Sequence, residues 1–92
     1  MSERAAATLG ICNARGLHAR ASAKFVQTVE RFSACVTVTR GGETVGGRSI
    51  MGLLTLGAAK GTTIAVVAVG DDAGAALDAI EALLADRFGE DE

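Results

Sequence analysis

From Asn13 to Ser22 the chain reads N-A-R-G-L-H-A-R-A-S and includes its only histidine, His18. Neutral imidazole keeps a nitrogen lone pair at physiological pH, which makes His18 a candidate nucleophile. Arg15 and Arg20 stand on either side of it, and a guanidinium can grip phosphoryl oxygens at two points. Gly16 allows a sharp backbone turn just ahead of the histidine. Beyond it, Phe25, Val29 and Phe32 recur at helical spacing. That apolar stripe predicts a helix opening at or just after His18 and ending near Phe32-Ser33. The first amides of a helix have no internal partners, and the aligned peptide dipoles favour negative charge there. A phosphoryl group carried on His18 would sit in such an anion site.

The elements that must hold this stretch follow from alternation and punctuation. Thr8 to Cys12 places Leu9 and Ile11 on one face and reads as a half-buried strand. Ala34 to Thr39 alternates in the same way, with Val36 and Val38 facing together and β-branched residues favouring the extended state. Arg40-Gly41-Gly42-Glu43 predicts a hairpin turn into a short edge strand at Thr44-Val45 that Gly46-Gly47 ends. Ser49 is a good N-cap for a short helix running to about Leu54, and Gly57 to Gly61 is a loop. Thr62 to Val69 is a nearly continuous aliphatic run and predicts a central strand. Gly70-Asp71-Asp72 turns the chain and caps a last helix carrying Leu77, Ile80, Leu84 and Phe88. The order β-α-β-β-α-β-α is that of an α+β domain with helices grouped on one side of a sheet. Residues 1–92 are expected to form one domain, with 1–6 and 89–92 frayed.

Composition bounds the function. Hydrophobic residues make up 49% of the 92, with no Trp, Tyr or Pro, so an aliphatic core is expected. The net charge of −2 divides into +4 over residues 1–48 and −6 over residues 49–92. Arg15, Arg20, Lys24 and Arg48 are candidates for a basic rim that suits a phosphate or an acidic partner surface. The negative total and the lack of an aromatic platform argue against nucleic-acid binding. No apolar run reaches the ~20 residues of a membrane span, and the N-terminus lacks the form of a secretory signal, so a cytoplasmic protein with no membrane insertion is expected. Cys12 and Cys35 lack metal-like or redox-like spacing and are expected to be buried in strands without a disulfide. Gly42 to Ser49, G-E-T-V-G-G-R-S, approaches a nucleotide-binding phosphate loop. It lies in a hairpin and an edge strand rather than between a buried parallel strand and a long helix, so that reading is set aside.

The segment G-L-H-A-R, Gly16 to Arg20, resembles the active-site signature of the HPr family, the histidine phosphocarriers of the bacterial phosphoenolpyruvate-dependent phosphotransferase system. A second segment, R-S-I-M-G-L-L-T-L-G from Arg48 to Gly57, followed by Lys60-Gly61, resembles the family's regulatory-serine and docking-helix region. The resemblance spans nearly the whole chain. It implies an open-faced β-sandwich, βαββαβα, whose four-stranded antiparallel sheet has the order 1-4-2-3. It implies that His18 accepts a phosphoryl group, on Nδ1 in the family, from enzyme I and passes it to enzyme II A-components, with Arg20 binding phosphoryl oxygens. Ala21 stands where many family members carry proline, which adds one amide donor near the phosphate. Ser49 aligns with the serine that HPr kinase/phosphorylase modifies. Ile50, Met51 and Leu54 align with a docking patch, beside which Arg15, Lys24 and Arg48 are expected to lie. The resemblance implies a monomer, not an enzyme, with no metal and no cofactor. A nitrogen-type regulatory paralogue, acting as a phosphorylation-dependent binding module, is the alternative.

Overall fold

The structure, a computed structural model, describes residues 3–91. Strand β1 (Glu3–Gly10) leads through the His18 loop into helix α1 (Ala19–Val29). Strands β2 (Cys35–Arg40) and β3 (Glu43–Gly46) form the hairpin, helix α2 (Ile50–Thr55) follows, and β4 (Thr63–Gly70) returns to the sheet. Helix α3 (Ala73–Ala85) is followed by a tight turn at Arg87–Gly89. All pairings are antiparallel and the strand order is β1-β4-β2-β3. The expected architecture is therefore the one observed.

Register explains why one face is a core and the other is open. Side chains alternate along a strand, and on β2 and β4 the residues that go inward are Val36, Val38, Ile64, Val66 and Ala68, all buried. They meet Phe25 and Val29 of α1 and Leu77, Ile80 and Leu84 of α3 in one cluster. The opposite face has a row Thr8, Ala65, Thr39 and Thr44 across the four strands. Strand β4 is central, as its aliphatic run predicts, but it is buried on one side only, and Val69 remains 43% exposed. The hairpin turns at Gly41 and Gly42, both with positive φ (59° and 85°), the geometry in which the turn matches the twist of the strands.

Several boundaries differ from expectation. Strand β1 starts at Glu3, so residues 3–6 are paired with β4 rather than frayed; Met1 and Ser2 lie outside the described residues. Three successive alanines, Ala5 to Ala7, hide the alternation that would have revealed it. Helix α1 stops at Val29, and single-turn bonds from Arg31 to Thr28 and from Phe32 to Val29 tighten the exit. Phe32 is half-buried against the core from outside the helix. Helix α3 stops at Ala85, and positive φ at Arg87 and Phe88 (54° and 55°) swings Phe88 into the core at 1% exposure. Both cysteines are exposed, not buried. Cys35 falls on an outward position of β2, and the thiol of Cys12 donates to the carbonyl of Leu84 at 3.1 Å.

Asp72 occupies the N-cap position of α3 but makes no side-chain cap bond there. Its carboxylate instead accepts from the amides of Ser33 and Ala34, at 2.9 and 2.8 Å, and from the Ser33 hydroxyl. The Ser33 amide leads the contacts that hold this carboxyl below its ordinary value. The residue thus pins the α1–β2 connection rather than capping its own helix.

Candidate functional site

The loop from Asn13 to Leu17 is built from the backbone outward. Asn13 is fully buried, and its side-chain amide donates to the carbonyl of Gly16 at 2.8 Å, while the Gly16 amide returns to the Asn13 carbonyl at 3.2 Å. Gly16 has φ +67°, and a Cβ there would lie 2.4 Å from the Ala58 carbonyl oxygen. Glycine is required on both counts. The Leu17 amide donates to that same Ala58 carbonyl at 2.8 Å, which ties the loop to the segment following α2. Buried Leu17 and the Ser22 hydroxyl, donating to the Leu17 carbonyl at 3.2 Å, complete the anchor.

His18 emerges from this loop as the N-cap of α1, with extended backbone (φ −77°, ψ −177°). Its Nδ1 accepts from the Arg20 amide at 3.2 Å. Accepting requires a lone pair on Nδ1, so the proton of the neutral ring is on Nε2. Nε2 lies 2.5 Å from a carboxylate oxygen of Glu90, to which it donates. The first internal bond of the helix runs from the Ser22 amide to the His18 carbonyl. The amides of Ala19, Arg20 and Ala21 therefore precede the ladder and belong to the positive end of the helix. Ala21, expected to offer its amide beside the phosphate, is fully buried as a whole residue, backbone included.

The C-terminal segment closes over the ring. Buried Phe88 anchors it, and the Phe88 carbonyl accepts from Lys24 Nζ at 2.5 Å. Gly89, with φ +76°, turns the chain back, and Glu90 reaches both His18 and the Asn13 side-chain amide, the latter at 3.1 Å. The Asn13 amide leads the contacts that lower the Glu90 carboxyl from its ordinary value; burial opposes, and the His18 hydrogen bond and charge and the Arg15 charge reinforce. Residues 89–91 were expected to fray, and the tail instead belongs to the site; Glu92 lies outside the described residues. An open cleft beside it is lined by Arg15, Arg20, Lys24, Glu90 and Asp91, with Ala14 and Gly89.

Of the residues singled out from sequence, the structure gathers His18, Arg15, Arg20, Ala21 and Lys24 around the start of α1. Arg48 does not join them. Its guanidinium donates to the carbonyls of Phe32 (2.7 Å), Ala34 (3.2 Å) and Val29 (3.5 Å), at the opposite end of α1. The two shorter contacts are to carbonyls of the connection between α1 and β2, and these acceptors hold Arg48 away from the rim where its charge suggested it. Ser49 caps α2, accepting from the Gly52 amide at 3.0 Å. Met51 and Ile50 are exposed, at 71% and 39%, while Leu54 is half-buried and Leu53 supplies the helix's core contact. Sequence reasoning missed Asn13 and Glu90 as members of the site. Asn13 carried a faint signal as an Asn opening a glycine turn. Glu90 carried none, since its partners lie 72 and 77 residues earlier.

Comparison with known proteins identifies the family and the fold. The family described as PTS-HPr, the phosphotransferase-system HPr component phosphorylation site, matches residues 5–86. The chain is 47% identical over 85 residues to the phosphocarrier protein HPr of Neisseria meningitidis serogroup A, covering 92% of this chain and 96% of that one. It is 44% identical over 80 residues to the phosphocarrier protein NPr of Shewanella violacea, covering 87% and 88%. Among solved structures, HPr-C-His from Thermoanaerobacter tengcongensis superposes with a TM-score of 0.91 at 39% identity, covering 96% of this chain and 99% of that one.

Proposed function

Because the chain belongs to the HPr family of phosphotransferase-system phosphocarriers, we propose that His18 Nδ1 is its phosphoryl acceptor. The observation that carries this reading is the N-cap geometry: the Nδ1 lone pair faces the first-turn amides of α1. In the transfer, that lone pair attacks phosphorus on phosphorylated enzyme I as the donor's own bond to phosphorus breaks. The Arg20 amide, released from Nδ1, turns to a phosphoryl oxygen, and the exposed Arg20 guanidinium supplies further donors. The carrier then gives the group to an enzyme II A-component and is regenerated. It is a stoichiometric intermediate, not an enzyme, and works as a monomer in the cytoplasm.

Both partners must reach the same exposed nitrogen, so both dock on the surface around it. Met51 and Ile50 supply an apolar contact, half-buried Leu54 its margin, and Arg15, Arg20 and Lys24 the positive rim for an acidic partner face. Ser49 is the site at which an HPr kinase/phosphorylase would regulate docking. A phosphate there adds about −1.5 to −2 charge at a helix N-terminus that tolerates it, so the effect falls on recognition, not folding. The similarity to an NPr admits a nitrogen-type branch with the same chemistry at His18 and a different acceptor. The test is labelled phosphoenolpyruvate with enzyme I. Label that is acid-labile, alkali-stable and lost in His18→Ala supports the reading, and undiminished labelling of that variant overturns it. Offering the charged carrier to sugar-type and nitrogen-type A-components then identifies the branch.

A further inference from the structure

Glu90 lies beyond the segment matched to the family, residues 5–86, yet its carboxylate is the group that holds the second nitrogen of the His18 ring. Resting on the reading of His18 as phosphoryl carrier, we propose that Glu90 is a positioning residue that keeps the Nε2 proton on the ring while Nδ1 carries the phosphoryl group, so that onward transfer expels neutral imidazole.

The argument starts from the bonds. When the Nδ1 lone pair attacks phosphorus, the N–P bond forms, the donor's bond to phosphorus breaks, and the ring, still protonated at Nε2, acquires a formal positive charge. In onward transfer the N–P bond breaks, its electron pair returns to Nδ1, and the ring leaves as neutral imidazole with its proton still on Nε2. Had Nε2 lost its proton first, the departing group would be imidazolate, a far poorer leaving group. The ability to give the phosphoryl group away therefore depends on the Nε2 proton.

The structure gives the unphosphorylated ring two hydrogen bonds, and both enforce one tautomer. The Arg20 amide donates to Nδ1 and Glu90 accepts from Nε2. Phosphorylation consumes the Nδ1 lone pair and with it the Arg20 contact. The Glu90 contact alone remains on the ring, at the moment when the ring is cationic. A carboxylate 2.5 Å from Nε2 favours that protonated ring, and Asn13 holds the other carboxylate oxygen at 3.1 Å. Anchoring of the tail by Phe88 and by Lys24 through the Phe88 carbonyl keeps the geometry in place. The charged groups around the ring are Arg15 from the loop, Arg20 and Lys24 from α1, and Glu90 and Asp91 from the tail. The three cations oppose a protonated ring, and Glu90 is the anion in contact with it.

The test compares wild type, Glu90→Ala and Glu90→Gln, each charged by enzyme I and phosphoenolpyruvate, separated from enzyme I, and followed for loss of phosphate to water across pH. Opposite charge within contact distance shifts a titration by one to three units. The alkaline fall in the rate should begin about one pH unit lower in Glu90→Ala, leaving it about tenfold slower on that limb. Glu90→Gln, which keeps an acceptor oxygen but no charge, should fall between the two. Ring ¹⁵N shifts of the phosphorylated proteins should show Nε2 deprotonating in the same order. Coincident pH limbs and ring shifts in wild type and Glu90→Ala would overturn the role of Glu90 and leave the carrier reading standing. Failure of all three proteins to take up label on His18 would overturn the carrier reading itself, and this inference with it.

Discussion

Gly16 and Gly41 have nearly the same backbone conformation and opposite surroundings, and substituting each by alanine separates strain from crowding. Both have positive φ, +67° and +59°, and holding a residue with a Cβ in that region costs about 1 kcal/mol. Gly41 is exposed, and a Cβ added there would meet nothing within 4 Å, so Gly41→Ala should cost about that much and no more. At Gly16 the new Cβ would lie 2.4 Å from the Ala58 carbonyl oxygen and 2.9 Å from Ala59 Cα. These are backbone atoms and cannot rotate aside. Forcing the segments apart adds about 1–3 kcal/mol of overpacking, and disturbing the Leu17–Ala58 bond at 2.8 Å adds about 1 kcal/mol. Gly16→Ala should therefore cost about 3–5 kcal/mol, against a total stability on the order of 5–14 kcal/mol for a chain this long. Urea unfolding, with midpoints and slopes measured together, gives both values. The segment that must give way carries His18, so phosphoryl acceptance should fall in Gly16→Ala and stay normal in Gly41→Ala. Equal destabilisation of the two variants would refute the claim that the loop after α2 seats the His18 loop.

Arg48→Ala should destabilise the fold by about 1–3 kcal/mol through loss of charged donors to the Phe32 and Ala34 carbonyls of the α1–β2 connection, with normal phosphoryl acceptance once folding is corrected for; slowed acceptance at unchanged stability would return Arg48 to the rim. Met51→Glu should weaken enzyme I binding by calorimetry and leave circular dichroism unchanged, since the side chain is 71% exposed; an unfolded variant would make Met51 part of the core. Asp72 is held below its ordinary value chiefly by the Ser33 amide. A carboxyl lowered on folding stabilises above its unfolded value, near 3.8, and that contribution disappears as pH falls through the lower folded value. Asp72→Asn should therefore remove part of the acid sensitivity of unfolding below about pH 4, and an unchanged acid limb would contradict the clamp on Ser33 and Ala34.

What could be read from sequence was whatever local spacing encodes. The start of α1 at His18 follows from a glycine turn and an apolar stripe within a few residues, and the Gly41-Gly42 hairpin and the Ser49 cap are equally local. What could not be read was set by partners far along the chain. Asp72 resembles an N-cap until Ser33 and Ala34 approach it across the fold. Arg48 resembles a rim charge until the α1–β2 connection brings the Phe32 and Ala34 carbonyls to it. Phe88 continues the helical spacing of Leu84, but the helix ends first, and a left-handed turn delivers the ring to the core by another route. That same turn directs Glu90 to His18. A short acidic tail without periodicity gives no hint of such a destination, because the information lies in the shape of the cleft it enters.

The most direct measurement of the central claim is the identity of the phosphorylated nitrogen. With ¹⁵N in the ring and phosphorus observed in the charged protein, phosphorus–nitrogen coupling identifies the bonded atom. Phosphorus coupled to Nδ1 of His18, with Nε2 still bearing hydrogen, is the predicted result. Coupling to Nε2, or phosphorus bound to any residue other than His18 after charging by enzyme I, would contradict it.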